Sequence, residues 1–171
     1  MTEVQSPGRK EDLVVTRILD APIELVWKAW TDPAHVVRWW GPKYYTSPSC
    51  NIDLRVGGQF VFAMRAPPDQ GGQDSYTGGV YQKIVPMERL EFTQSITDKD
   101  GAKIDPALAG LPPDFPKEIR TVVVFKAKGN MTELTITEYD SMIYLSNGLV
   151  NGNSTASSLR KIRRQIKLIV L

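Results

Sequence analysis

The residues of this chain that could do chemistry are few, and their spacing excludes more than it admits. His35 is the only histidine and Cys50 the only cysteine among 171 residues. A zinc site needs three or four nitrogen and sulfur ligands, so no metal is expected, and at most carboxylates could hold a cation. A serine or cysteine nucleophile would need His35 as its base, and His35 lies in a helical stretch with no motif around it. An exposed or capping position is its expected place. The carboxylate pairs Glu88/Glu91 and Glu133/Glu138 fall on strands or turns and read as solvated charges. One acid–base arrangement is conceivable, with Tyr81, Arg17 and Glu138 acting as in a cyclase or isomerase. No residue is assigned a catalytic role and no cofactor is expected. Gly57-Gly58 and Gly78-Gly79 open no helix and precede no Gly-Lys-Ser/Thr, so phosphate-loop geometry is missing.

The aromatic residues are more informative. All four tryptophans, Trp27, Trp30, Trp39 and Trp40, fall in one short stretch. Ile23, Val26, Trp27 and Trp30 follow the i, i+3, i+4, i+7 pattern of one apolar helix face, and Val36, Trp39 and Trp40 repeat it in miniature. Pro22 and Pro33 suit first helical turns, and Asp32 can cap the second helix. Helices are therefore predicted over roughly 22–31 and 33–40, ended by Gly41-Pro42.

Strands surround these helices. DLVVTRIL, residues 12–19, alternates as a strand before them. Beyond Tyr44 the pattern is almost entirely β: 50–55, 59–65, 75–85, 89–97, then a hairpin of 119–128 and 132–139 about Gly129-Asn130. Phe60, Phe62 and Met64 share one strand face; Leu90, Phe92 and Ile96 share another, with polar Gln94 between them. Residues 98–117, with Pro106, Pro112, Pro113 and Pro116, read as a long loop, either a surface insertion or a lid. Leu159, Ile162, Ile166 and Ile169 give an apolar stripe for a basic helix over 155–171, preceded by the helix-breaking Asn147-Gly148 and Asn151-Gly152.

Composition sets the class. The length suits one domain spanning 1–171, with a polar, flexible N-terminus over 1–11. No apolar run approaches the roughly 18 residues of a membrane-spanning helix, so no membrane span is expected. The first twelve residues lack a signal-like apolar region, and the lone cysteine suits a reducing compartment, so a cytoplasmic location is expected. The net charge of +2 hides an asymmetry. From Ser141 onward there is no acidic residue, while Arg160, Lys161, Arg163, Arg164 and Lys167 are basic, leaving 16 basic against 19 acidic residues elsewhere. That basic segment suits an acidic protein partner. It lacks the aromatics and motifs of a nucleic-acid contact, so no nucleic-acid partner is expected.

Several separated motifs, in order, carry a family resemblance: Ala21-Pro22 with Val26-Trp27, Asp32-Pro33, Arg38-Trp39-Trp40-Gly41-Pro42, Asp53–Gly58 (DLRVGG), Met64-Arg65, Gly79-Val80-Tyr81 running to Ile84-Val85-Pro86, and Arg89–Thr93. Over roughly 13–139 the chain resembles the START-like, or SRPBCC, superfamily, and most closely the family named after the activator of the heat-shock protein 90 ATPase. The resemblance implies an α+β helix-grip (START/Bet v-like) fold, in which a curved antiparallel sheet wraps around a C-terminal helix and two short helices follow the first strand. Members usually carry a Gly-Trp pair in that long helix, whereas this chain has Asn153 after Gly152 and no tryptophan.

A curved sheet gripping one helix does not fill its interior with its own side chains, so a mainly apolar cavity is expected. Phe60, Phe62, Met64, Phe92 and Phe125 would line it, Trp39 and Trp40 would stand at its mouth, and Tyr81 and Gln94 would supply polar groups. Arg17 and Glu138 are further polar candidates. The expected function is non-enzymatic binding of a small apolar or amphipathic ligand. The alternatives are a protein-interaction module resembling the chaperone ATPase activators, and a polyketide-cyclase-like enzyme.

Overall fold

The structure, a computed structural model, describes residues 9–143 except 42 and 112. Its elements are β1 (Arg9–Leu19), α1 (Ile23–Thr31), α2 (Pro33–Val36), β2 (Cys50–Ile52), β3 (Gln59–Arg65), β4 (Asp74–Val85), β5 (Arg89–Thr97), β6 (Ile119–Lys128) and β7 (Met131–Ile143). The strands form one seven-stranded antiparallel sheet in the order β1-β7-β6-β5-β4-β3-β2. The two helices therefore bridge from one sheet edge to the other, because β1 and β2 are the outermost strands. The closing helix expected over 155–171 lies outside the described residues.

The helices form where the apolar stripe and the caps place them. Asp32 accepts the Ala34 N–H at 2.9 Å and so caps α2. That helix is shorter than the residue pattern suggests. After Val36 the chain tightens into turns, with the Trp39 and Trp40 amides both donating to the Val36 carbonyl. The Trp39 indole N–H reaches the Ala29 carbonyl at 2.8 Å, tying this turn to α1. β1 starts three residues earlier than its apolar alternation, because ladder pairing with β7 continues to Arg9 and Ile143. β2 is shorter than the 50–55 segment, since Arg55 and Gly58 turn back onto the Asp53 and Arg55 carbonyls.

The core lies between the helices and one face of the sheet. Phe60, Phe62, Tyr81, Leu90, Phe92, Val123, Phe125, Leu134 and Ile136 are buried there with Val26 and Val36. One glycine makes this packing possible. Gly79 pairs with Phe60 across β3 and β4, and a Cβ on it would lie 1.9 Å from the Thr93 carbonyl and 2.5 Å from the Phe60 ring. The ring is therefore seated directly on bare backbone.

On the opposite face, Glu91 is held between two arginines. Arg89 Nε donates to it at 2.7 Å and Arg120 Nη2 at 3.0 Å, while Arg120 also lies over the Tyr139 ring. These guanidinium groups hold the Glu91 carboxyl below the usual carboxylate range.

The segment over 98–117 has structure of its own. Asp98 Oδ1 accepts from the Asp100 and Ala102 amides, and Ile104 N donates back to the Ile96 carbonyl, so the chain extends β5 in a tight hairpin. Gly101 approaches Val61, which points away from the face holding Phe60 and Phe62. A 3-10 turn over Pro106–Ala109, capped by Asp105, buries Pro106. The first part of this segment thus packs on the side of the sheet opposite the aromatic core.

Gly79→Ala is expected to destabilise the fold by about 3 kcal/mol, because backbone and a core ring would both have to move. Urea unfolding measures this, and an unchanged midpoint would contradict the close seating of Phe60. Acid sensitivity should depend on Glu91. Its folded pKa is depressed, so its contribution is present above the unfolded carboxylate pKa and is lost as pH falls through the folded value. Stability of Glu91→Gln measured down from neutral pH should fall less steeply on acidification than that of the parent chain.

Candidate ligand-binding face

The aromatic residues that the sequence singles out form a continuous chain of ring contacts. Phe125 takes an edge from Trp27 at 5.2 Å and from Trp30 at 6.4 Å. Trp30 meets Trp39 at 5.1 Å, Trp39 meets Trp40 at 5.7 Å, and Trp40 meets Phe62 at 4.7 Å. Phe60 stacks on Phe62 at 4.8 Å and takes in Tyr81 at 5.2 Å and Phe92 at 5.3 Å. Rings at these separations and tilts interact favourably beyond their buried area. At this end the aromatic side chains pack against one another. Phe60, Phe62, Tyr81, Phe92 and Phe125 are core residues here, and Trp40 packs partly buried against them. Met64 is also partly buried, at the far end of β3 beside Gly41.

The other end of the same face is different. Gln94 Nε2 donates to Glu138 Oε1 at 3.1 Å and to Thr121 Oγ1 at 3.2 Å. All three are at least partly buried. Register explains the meeting: Phe92 faces Thr121 across β5 and β6, and Thr121 faces Glu138 across β6 and β7. Gln94 is one alternate position beyond Phe92, hence on the same side. Thr121 and Phe125, four residues apart on β6, are separated by about 13 Å, so the polar cluster lies well away from the indoles. Thr121 is the member that the residue pattern did not single out, although its spacing from Val123 and Phe125 on a predicted strand marks the same face.

Tyr81, Arg17 and Glu138 are not brought together. Tyr81 is buried against Phe60 and Phe92, and burial raises its phenol pKa well above the usual range. Arg17 pairs in register with Leu134, and its guanidinium donates to the Thr16 carbonyl at 2.8 Å. No acid–base constellation results from these three. His35 is half-buried in the last turn of α2, and no group of His, Cys, Asp and Glu able to hold a metal occurs among the described residues. Among those residues, no helix is long and apolar enough to cross a membrane.

Two polar details remain on the aromatic side. The indole N–H groups of Trp30 and Trp40 are buried with no acceptor among the described residues. An unmet buried donor costs about 1–3 kcal/mol. Cys50 stands opposite Phe62 across β2 and β3; burial pushes its thiol up to about 12, with the Asp32 carboxylate adding to the effect. A separate surface depression of about 400 Å³ is lined by Tyr44, Thr46, Arg65, Ala66, Pro67, Pro68, Gly71 and Gly72. None of the expected lining residues reaches it, and Arg65 there is engaged by both oxygens of Asp74.

A sheet bridged by two short helices, with an apolar face and an off-centre polar cluster, defines a START-like protein. The chain belongs to the family described as activator of Hsp90 ATPase homolog 1-like proteins, whose pattern it matches over residues 20–163. Similar solved structures include a Nitrosomonas europaea protein with 25% identity, covering 77% of this chain and 75% of the other, at a TM-score of 0.59. A Mycobacterium smegmatis protein is 18% identical over 92% of this chain and 87% of its own, at 0.64. A protein from Aeromonas hydrophila, described as AHSA1-like, is 20% identical over 92% and 90% of the two chains, at 0.57. No curated protein matches the chain.

A raised thiol pKa lowers the thiolate fraction at mild pH, and the thiolate is the nucleophile. At pH 8 Cys50 should therefore react with iodoacetamide roughly a hundredfold more slowly in the folded chain than in urea. Equal rates in the two states would contradict its placement against Phe62.

Proposed function

We propose that the concave face binds a small amphipathic molecule without chemically changing it, and that Gln94, Thr121 and Glu138 orient its polar end. The observation that carries this reading is the hydrogen-bonded Gln94–Glu138 pair, partly buried on a face made largely of apolar side chains. Buried polar groups weaken a core unless they are satisfied or used, and ligand sites are mainly apolar surfaces with a few such groups. Phe92, one alternate position along β5, supplies apolar surface directly beside the pair. The ring-to-ring packing at the aromatic end favours a site nearer this cluster, with Trp39 and Trp40 serving as packing and closure.

The family is described by an ATPase activator, and a protein-interaction role is the competing reading. The polyketide-cyclase reading is less supported, because Tyr81, Arg17 and Glu138 stand apart.

A thermal-shift and dye-displacement series with fatty acids, their alcohols and aromatic acids tests the proposal. Saturable binding that raises the melting temperature is expected. Gln94→Leu should weaken polar-ended compounds about tenfold and leave hydrocarbon-like ones little changed. Failure of every compound to bind, with a co-purifying protein partner, would favour the interaction reading instead.

A further inference from the structure

We propose that the Gln94–Thr121–Glu138 cluster selects guests whose polar end donates hydrogen bonds, a hydroxyl or amino group, and rejects carboxylates. This rests on the reading of that cluster as part of a ligand site. A side-chain amide has two hydrogens and one carbonyl oxygen. Gln94 Nε2 spends both hydrogens inside the cluster, one on Thr121 Oγ1 at 3.2 Å and one on Glu138 Oε1 at 3.1 Å. No donor among the described residues meets the remaining atom, Gln94 Oε1. What the amide offers a guest is therefore an acceptor.

Charge fixes this orientation as well as distance does. Swapping the two ends of the amide would turn its carbonyl oxygen onto the Glu138 carboxylate and set acceptor against acceptor. Thr121 is 2% exposed, so its part is to hold the amide. Gln94 and Glu138 are only partly buried and are the groups within a guest's reach.

A carboxylate guest would bring acceptors to acceptors, and its charge would need a cation beside it. Among the described strand residues of this face, Arg17 is the one cation. It is in register with Leu134, four positions from Glu138 on β7 and so about 13 Å along the strand. Its guanidinium turns instead to the Thr16 carbonyl. Arg120 is closer in register, opposite Tyr139, but lies on the other face and is held by Glu91. A site built to bond a donor disfavours the analogue that lacks one, because its polar atoms then lose water without gaining a partner.

Isothermal titration calorimetry near neutral pH tests this with octanol, octylamine, octanoate and octyl methyl ether. The ether is neutral and accepts but cannot donate, so it separates hydrogen bonding from charge. Octanol and octylamine are expected to bind roughly tenfold more tightly than octanoate and the ether. Thr121→Val keeps the side-chain shape and releases one amide hydrogen, so the ether should gain about threefold on octanol. Gln94→Met keeps the chain length and removes the carbonyl oxygen, so octanol and the ether should bind almost equally. Far-UV circular dichroism checks that both variants keep the parent fold. Octanoate or the ether binding as tightly as octanol to the parent chain overturns the proposal and leaves the broader site reading standing. A preference for octanol unaltered in Gln94→Met does the same. Binding of none of the four overturns both.

Discussion

The arrangement depends on one docking contact, the seating of α1 against the aromatic side of the sheet. A sheet with one apolar face must cover it, and here Trp27 and Trp30 close on Phe125 edge-on while Trp40 closes on Phe62. These contacts span β6 to β3, so α1 and the turn after α2 together hold strands that are not neighbours. The clamp in turn requires Gly79, whose missing side chain lets Phe60 lie flat against β4 and stack on Phe62. Substituting a core ring would disturb both the helix docking and the strand beneath it.

Much of this was legible in the residue order. The 3.6-residue stripe of Ile23, Val26, Trp27 and Trp30 and the period-two pattern of Phe60 and Phe62 locate the two halves of the core, since both periodicities report burial directly. The family motifs gave the sheet and its two helices. Boundaries were less legible: α2 stops at Val36 because the Trp39 indole bonds to Ala29, a tertiary contact that no local pattern contains. The polar cluster was legible in part. Composition identified Gln94 and Glu138 as polar residues among apolar ones, but only cross-strand register shows that they touch, with Thr121 between them. Residue identity also could not tell which of these rings touch one another.

The two ends of the concave face consequently differ in character. The aromatic end supplies rigidity, because interlocking rings leave few alternative rotamers. The polar end has the hydrogen-bonded Gln94–Glu138 pair, and hydrogen bonds exchanged between partners change free energy little. Rigid support beside an adaptable polar group is the usual condition for selective recognition.

The strand order has a consequence for biosynthesis. Thr16 on β1 bonds across the sheet to Thr135 on β7, 119 residues later in the chain. At a translation rate of about 10 residues per second, β1 waits roughly ten seconds after leaving the ribosome before its ladder partner exists. Throughout that interval both of its edges are open, and Val14 and Ile18 lie along one side of it. The topology thus gives the nascent protein a period of aggregation risk that ends only when the seventh strand emerges.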